Sequence, residues 1–217
     1  VDSTVDWAFL ESCLRDDLNE TAQRVMAVLD PVKLTITNYP EGQSEEIMVE
    51  NNPLDPEAGE RAVTFSRHLY IEAEDFMEEP IPKYKRLTPG GLECRLKGAY
   101  LIRPTGCVKD ENGKVIEVLC EYDPESKGGN PADGRKVKGA TIHWVDAETA
   151  VDAEVRQYEN LFNAVSPDTS SMETLVKDMN PHSLEVLTGC KVEAALADAK
   201  APASYQFMRL GYFCPDS

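Results

Sequence analysis

The sequence lacks any apolar run that could form a transmembrane helix. Such a helix needs about eighteen or more consecutive apolar residues, and the 217 residues contain no such run. The first residues also carry neither the basic nor the apolar region of a secretory signal. We therefore expect a soluble, cytoplasmic protein that is not processed for export and has no membrane partner.

Cysteine pairs and metal-binding spacings are missing as well. The six cysteines are scattered singly without a C-x-x-C pair, and none of the three histidines stands at ligand spacing with Cys, Asp or another His. This pattern argues against a disulfide framework and against a metal site, and it indicates reduced thiols. We expect the lone histidines, His68, His143 and His182, to be structural.

No motif of phosphate binding or catalysis stands out. Gly90 and Gly91 lack the spacing of a P-loop or a dinucleotide fingerprint and predict a turn instead. The acids are numerous but unpatterned, so nothing singles out a carboxylate pair of the glycosidase kind. We therefore assign no catalytic residue, no metal and no cofactor to this chain on its own.

The charge that is present is strongly segregated. The chain carries a net charge of −17, yet residues 83–103, which we call the basic island, contain six Lys or Arg and one acid, Glu93. Residues 30–82 contain thirteen acids and three bases, so that surface is expected to repel a polyanion. The basic island with its aromatic Tyr84 favours a polyanion-binding surface, and a solvated charged face is the alternative.

Two smaller polar groups accompany the basic island. Residues 135–139 carry one Arg and two Lys, which either bind an anion or balance Asp133 and the acidic loops nearby. Gln206 and Arg209 lie close together in another predicted strand. By themselves these two would be ordinary polar residues of an edge strand.

Strand geometry suggests which basic side chains act together. Arg95 and Lys97 would share one face of a strand, whereas Lys85 and Arg86 would point to opposite faces. Arg has a planar fork that reads a base edge or clamps a phosphate, and Lys supplies a point charge. Unpaired RNA bases are read by such groups together with aromatic stacking, for which Tyr84 is the candidate.

Hydrophobic spacing predicts one helical region at the start of the chain. Within residues 1–30, Trp7, Leu10, Leu14 and Leu18 recur at three- and four-residue spacing and form one apolar stripe. The following Pro31 would end this helical region after Asp30.

The rest of the chain has the short alternating runs and close turns of antiparallel strands. Strands are predicted at residues 32–37, 47–49, 62–65, 68–71, 95–103, 115–122, 137–145 and 205–213. Residues 110–113 have the composition of a hairpin turn, and residues 172–179 and 193–199 could form helical turns. Many short strands are typical of small antiparallel barrels, so the sequence predicts a mainly β fold.

Five motifs follow one another along the chain. In one-letter code they are DPVKL at residues 30–34, YKRL at 84–87, DGRKVKG at 133–139, IHWV at 142–145 and QFMRLGYF at 206–213. Together they resemble the C-terminal anticodon-binding region of glutaminyl-tRNA synthetase, a class I aminoacyl-tRNA synthetase, over nearly the whole chain. Each motif alone is moderately specific, whereas five in order are strong.

The resemblance implies two small antiparallel β-barrels, the distal one inserted in the proximal one, preceded by a short helical segment. Residues 1–30 would be a helical connector from an absent catalytic domain. Residues 31–82 and 170–217 would form the proximal barrel, and residues 83–169 the distal barrel. Because family members usually continue beyond this point, we expect one late strand to be missing.

The resemblance also implies three separate pockets, one for each unstacked anticodon base of the tRNA that accepts glutamine. The residues implied for the first and third bases are Lys85, Arg86, Arg95 and Lys97. Those implied for the central uracil are Arg24, Gln206 and Arg209, with Asn19 beside Arg24 as a further candidate. Where Lys97 stands the family commonly has Arg, so a two-pronged contact would become a single one.

The implied parent enzyme is a glutamine–tRNA ligase that uses ATP and Mg²⁺, with the tRNA that accepts glutamine as the partner. No H-I-G-H-like or K-M-S-K-S-like segment occurs, so the chain alone is expected to bind tRNA as a monomer without catalysis. Two alternatives stay open. One is a glutamyl-tRNA synthetase of the archaeal or eukaryotic type, and the other is a protein-interaction β domain whose basic island meets an acidic partner.

Overall fold

The computed structural model describes residues 7–216, a mainly β chain. Its α-helices are α1 (Trp7–Thr21) and α2 (Met172–Lys177). The strands of the first half are β1 (Gln23–Val25), β2 (Ala27–Val28), β3 (Pro31–Ile36), β4 (Ser44–Glu50), β5 (Glu60–Ser66), β6 (His68–Glu72), β7 (Cys94–Leu96) and β8 (Leu101–Lys109). Those of the second half are β9 (Val115–Tyr122), β10 (Thr141–Ile142), β11 (Val145–Asp146), β12 (Val151–Tyr158), β13 (Leu184–Val192), β14 (Tyr205–Phe207) and β15 (Gly211–Phe213).

The helix α1 is shorter than predicted and has no buried residue. It ends at Thr21, and residues 23–28 form β1 and β2, so the prediction of a helix through residue 30 is wrong. Tertiary pairing explains the difference, because β1 lies parallel to β14 and the four residues from Val25 onward are completely buried. The exposed residues of the predicted apolar stripe are Trp7, Leu10 and Leu14. Neither α1 nor α2 has the length and apolar character needed to cross a membrane.

One curled sheet organises the core, with strands in the order β10-β7-β8-β9-β3-β6-β11. In β3, Leu34 lies opposite Val118 of β9 in a parallel pair and opposite Leu69 of β6 in an antiparallel pair. Trp144 and Phe65, both completely buried, pack edge to face with ring centroids 5.2 Å apart. The mainly β class is therefore confirmed. The two barrels and their residue boundaries stay predictions, since segments assigned to both contribute strands to this sheet.

A long antiparallel ribbon of β12 and β13 was not predicted from the sequence. The connection between these strands contains α2, which confirms the helical turn predicted within residues 172–179. Most side chains of both strands are exposed or only half-buried. In β12, Val151, Ala153 and Val155 alternate with charged residues, so the sequence does carry the pattern of a half-buried strand, and this strand was missed.

Turns interrupt three of the predicted strands. Residues 95–103 form the hairpin of β7 and β8, in which Leu96 N donates to Tyr100 O at 2.9 Å. Residues 205–213 form the hairpin of β14 and β15, and residues 137–145 retain only β10 and the start of β11. The predicted hairpin turn at residues 110–113 does join β8 to β9.

The start of the basic island is not a strand. Residues 83–86 are irregular, with a turn at Lys83 and a bend at Arg86, and Leu87 makes a single bridge to Phe76. The prediction that Lys85 and Arg86 alternate along a strand is therefore wrong. Their positions depend on neighbouring side chains, which are described below.

Candidate nucleic-acid interface

A cleft of about 250 Å³, which we call the central cleft, opens beside the parallel pair of β1 and β14. In this pair Arg24 lies directly opposite Gln206. The lining residues are Arg24, Pro53, Lys97, Thr141, Ile142, His143, Gln206, Met208 and Arg209. Four of them are predicted site residues, and within the described part of the chain no Asp or Glu is among them. The fold therefore gathers basic and amide groups from distant parts of the sequence.

Arg24 is held firmly at the base of the central cleft. Arg24 is only 7% exposed. Nη2 donates to Asn19 O at 3.0 Å and to Asn19 Oδ1 at 2.9 Å, and Nη1 donates to Asn52 Oδ1. Asn52 in turn donates from Nδ2 to Glu20 O at 2.7 Å. Asn19 thus orients Arg24, and the end of α1 is tied to the cleft.

Arg209 occupies the turn between β14 and β15 and is fixed by a buried carboxylate. Its Nη2 donates to Asp75 Oδ1 at 2.7 Å and its Nη1 to Asp75 Oδ2 at 2.9 Å. Burial works to lower the pKa of Arg209, but the hydrogen bonds and charge of Asp75 outweigh it and raise the pKa. The backbone of Arg209 has φ +70°, a left-handed conformation that is unusual for a residue with a side chain. Such conformations persist where the surrounding structure imposes them, often at functional sites.

Gln206 and Lys97, the other two predicted residues of the central cleft, each have a polar group that a ligand could contact. Gln206 donates from Nε2 to Tyr212 Oη at 3.3 Å, which leaves its amide oxygen as an acceptor. The backbone of Lys97 is fixed, because its N donates to Ile142 O at 2.9 Å and its O accepts from Trp144 Nε1 at 3.0 Å. Within residues 7–216 no ion pair joins the ammonium group of Lys97 to an acid.

Arg95 lies beside the central cleft rather than in its lining. It is opposite Thr141 in the pair of β7 and β10, and its Nε donates to Gly129 O at 2.7 Å. Lys97 and Gly128 line a second, adjoining cleft of about 270 Å³. The two basic residues are thus both placed around the turn that contains Gly128 and Gly129. Their joint action on a ligand stays a prediction.

Two of the three arginines of the basic island, Arg86 and Arg103, pair with acids. Arg86 donates from Nη1 to Glu74 Oε1 at 2.8 Å, and its Nε lies 3.2 Å from Asp75 Oδ1. Arg103 pairs with Glu93 at 3.3 Å. These contacts reduce the charge that the arginines present to solvent, while they orient the guanidinium groups.

The lysines of the island carry the less compensated charge. Both Lys83 and Lys85 are exposed, and no ion pair joins either to an acid in the part of the chain that the structure describes. Between them, Tyr84 is half-buried and donates from Oη to Glu74 O at 2.9 Å. Burial, and then the charge of Asp75, raises the pKa of Tyr84, so its phenol stays protonated. The suggested stacking role of Tyr84 stays a prediction.

Arg135 balances nearby acids, which is one of the two alternatives that the sequence left open for residues 135–139. It donates from Nε and Nη2 to the two carboxylate oxygens of Glu93, both at 3.0 Å, and it also pairs with Asp123 and Asp133. Hydrogen bonds from Arg135 are the main cause that holds the pKa of Glu93 below its usual range. Lys136 and Lys138 in the same segment are exposed.

A close backbone approach joins this second basic group to the island. Ala140 N donates to Lys85 O at 2.8 Å, and Arg95 N donates to Ala140 O at 3.0 Å. A Cβ atom at Gly139 would lie only 2.0 Å from Glu93 O, so the approach requires glycine. The lysines of residues 135–139 and the basic island therefore belong to one surface.

The acids of residues 30–82 do not all act as a repelling surface. Glu72 and Asp75 are buried, and Glu45 accepts hydrogen bonds from Tyr39 and Tyr100. The sequence argument missed Asp75 because it stands in a run of acids, where its burial gives no separate signal. Its direct neighbour Phe76, which is also buried, is the one local hint.

Sequence reasoning also missed the polar support of the central cleft. The composition of residues 52–57 indicates only a loop, and the lone His143 is expected to be structural. The structure buries Asn52 and His143 and places Pro53 and His143 in the cleft lining. Within residues 7–216 the His, Cys, Asp and Glu side chains form no group of three that could hold a metal ion.

Models of known protein families match both segments of the chain that contribute to this surface. Two family models, each described as "tRNA synthetases class I (E and Q), anti-codon binding domain", match residues 22–123 and 141–216. The first match contains β1 and the basic island, and the second contains β10 and the hairpin of β14 and β15. The chain therefore belongs to the anticodon-binding domains of the class I tRNA synthetases for E and Q, as the motifs predicted.

Individual relatives are similar over the whole chain. A glutamine–tRNA ligase of Clostridium perfringens is 54% identical over 215 residues, which is 99% of this chain. One of Bradyrhizobium diazoefficiens is 51% identical over 214 residues, and one of Colwellia psychrerythraea is 50% identical over 217 residues. The chain spans 38% of the length of each of these relatives.

Proposed function

We propose that this chain is the anticodon-binding part of a glutamine–tRNA ligase and that it binds the tRNA that accepts glutamine. The observation that carries the proposal is the convergence of Arg24, Lys97, Gln206 and Arg209 on one cleft, whose lining contains no acid among residues 7–216. The names of the relatives support glutamine rather than glutamate as the amino acid.

The central cleft suits a base with several acceptor atoms. An arginine has five N–H donors, so Arg209 keeps about three after its two bonds to Asp75. Uracil presents two carbonyl acceptors and one N–H donor, and the free amide oxygen of Gln206 can accept from that donor. Cytosine carries an amino donor in place of one carbonyl, and this donor would face the guanidinium groups. The cleft should therefore prefer uracil to cytosine as the central anticodon base.

The remaining predicted residues would serve the other two bases and the phosphates. Arg86 and Arg95 are oriented by fixed partners, as residues that read a base edge must be. Lys85 and Lys97 would supply point charges for the first and third nucleotides and the RNA backbone. The two-barrel arrangement, with the distal barrel inserted in the proximal one, would separate these pockets.

The parent protein would join glutamine to this tRNA with ATP and Mg²⁺ through a catalytic domain outside the 217 residues. We propose that the chain by itself binds tRNA without catalysis, and that the parent works as a monomer in the cytoplasm. A glutamyl-specific parent is the second candidate, and RNA discrimination separates the two.

A titration with altered tRNA tests the proposal. The 217-residue chain would be titrated by fluorescence anisotropy with a tRNA that accepts glutamine and with the same tRNA carrying cytosine as the central anticodon base. We expect the change to weaken binding by about 1–3 kcal/mol, the usual cost of one misread base. Equal affinity for both RNAs, or tighter binding of a tRNA that accepts glutamate, would contradict the proposal.

A pair of variants localises the effect. Arg209→Lys keeps the charge but loses the planar fork, so it should lose most of the discrimination between uracil and cytosine. Arg156→Lys is the matched control, because Arg156 is an exposed residue of β12 that pairs with Glu154 outside the cleft. The control should discriminate as the parent chain does.

A further inference from the structure

The carboxylate of Asp75 is completely buried and is shared by two arginines. Arg209 binds both of its oxygens, at 2.7 Å and 2.9 Å, from the edge of the central cleft. Arg86 reaches the same Oδ1 with its Nε at 3.2 Å, from the basic island. One carboxylate thus joins a residue proposed to read the central base to a residue proposed to read another base.

Burial makes the two arginines depend on each other. An unpaired charge in the interior is strongly unfavourable, so Asp75 needs its cationic partners. Because Oδ1 accepts a hydrogen bond from Arg209 and also forms an ion pair with Arg86, a shift of either guanidinium group changes the best position of the other. Glu74 also contacts both groups, at 2.8 Å from Arg86 and 3.8 Å from Arg209, but its side chain is 66% exposed and its contacts are screened.

We propose that Asp75 is a positioning residue that couples the recognition of the central anticodon base to the recognition of the base read by Arg86. The inference rests on the proposed function. A base bound to Arg209 holds that guanidinium against Asp75, and through the shared oxygen it holds Arg86 in its reading position. Such coupling is reciprocal, so each correct base strengthens the binding of the other.

The test measures coupling rather than affinity alone. Four kinds of tRNA that accepts glutamine would be titrated: unaltered, changed at the central base, changed at the first or third base, and changed at both. For the parent chain we expect one base change to weaken the affinity at least about fivefold more when the other base is correct than when the other base is changed as well. Asp75→Asn keeps the shape but removes the charge and one acceptor oxygen, so this factor should fall close to one. Glu74→Gln, the matched control, keeps an oxygen that can accept from Arg86 and does not touch the shared Oδ1, so it should keep the factor of the parent.

A surface variant makes the test independent of how well Asp75→Asn folds. Arg86→Gln changes a side chain that is 32% exposed and does not line the central cleft. In this variant Asp75 Oδ1 no longer pairs with Arg86, so the preference of the chain for the correct central base should fall about fivefold. A purely structural role for Asp75 would leave that discrimination unchanged in Arg86→Gln.

The outcomes separate the inference from the proposed function. If the parent chain does not distinguish central bases, the proposed function is wrong and the coupling falls with it. If the parent distinguishes them but Arg86→Gln does so equally well, or Asp75→Asn keeps the coupling factor of Glu74→Gln, only the inference is overturned. Loss of coupling in Asp75→Asn and weaker central-base discrimination in Arg86→Gln, with coupling retained in Glu74→Gln, support it.

Discussion

At the scale of single residues, Gly139 decides whether the two basic groups can share a surface. Its missing side chain lets the backbone of residues 139–140 run against Glu93 and Lys85. In Gly139→Ala the new Cβ would meet a backbone oxygen at 2.0 Å, which cannot move without displacing β7. We expect the free energy of unfolding, measured in urea, to fall by about 1–3 kcal/mol.

The chain offers a matched control for this change. Gly106 lies in β8, and a Cβ there would have no heavy atom within 4 Å. Gly106→Ala should therefore change the free energy of unfolding by less than about 0.5 kcal/mol. Equal effects of the two substitutions would show that the close approach at Gly139 is unimportant.

The same scale shows what the sequence could reveal about the site. The family resemblance implied Arg24, Gln206 and Arg209 together, and the structure does gather them on one cleft. Asp75 and Asn52, which hold two of these residues in place, could not be found, because burial depends on tertiary packing. A charged residue in an acidic run and an amide in a loop both look solvated in a sequence.

At the scale of elements, Glu72 joins the end of β6 to two other segments. Its carboxylate accepts from Leu29 N at 2.8 Å and Asp30 N at 3.0 Å, in the connection between β2 and β3. His143, between β10 and β11, lies 3.3 Å away through Nε2. Burial works to raise the pKa of Glu72, but the hydrogen bonds from His143, Asp30 and Leu29 outweigh it and hold the pKa below the ordinary 4.5.

A pH dependence of stability follows from this carboxylate. A group whose pKa is lower in the folded state adds stability above its unfolded pKa and loses it as the pH falls. Glu72→Gln should lower the free energy of unfolding by about 1–3 kcal/mol near pH 7. The difference from the parent chain should shrink as the pH falls below 4.5.

Urea unfolding at several pH values measures this difference. Glu46→Gln is the control, because Glu46 is exposed on β4 and should change little at any pH. A difference for Glu72→Gln that stays constant between about pH 7 and pH 3 would contradict the linkage.

Elements were predictable from the sequence where one face is buried and one is solvated. The alternation in β3 and β9 identified both strands, and the composition of residues 110–113 identified the turn after β8. The ribbon of β12 and β13 was not predicted, although β12 alternates apolar and charged residues from Val151 to Arg156, so here the pattern was present and was missed. The residues of β1 and β2 are strands because of pairing with β14 and β13, which local propensity does not encode.

At the scale of the whole molecule, a net charge of −17 must be reconciled with a polyanionic partner. Some of the acids do not face solvent, since Glu72 and Asp75 are buried. Others form ion pairs with arginines, as Glu93 does with Arg135. Four exposed lysines are left as the positive charge of one surface: Lys83, Lys85, Lys136 and Lys138. Binding to this surface should therefore depend on a few lysine–phosphate contacts rather than on the overall charge.

The salt dependence of binding tests this view of the surface. Each phosphate contact contributes about 0.7–0.9 to the slope of log K against log salt concentration. Lys85→Gln should reduce the magnitude of the slope by roughly that amount and weaken binding of all anticodon sequences alike. Lys114→Gln, in the turn after β8 and outside this surface, should leave the slope unchanged. If the two variants lowered the slope equally, the attraction would come from the diffuse field of the molecule, and the basic surface would have no special part in binding.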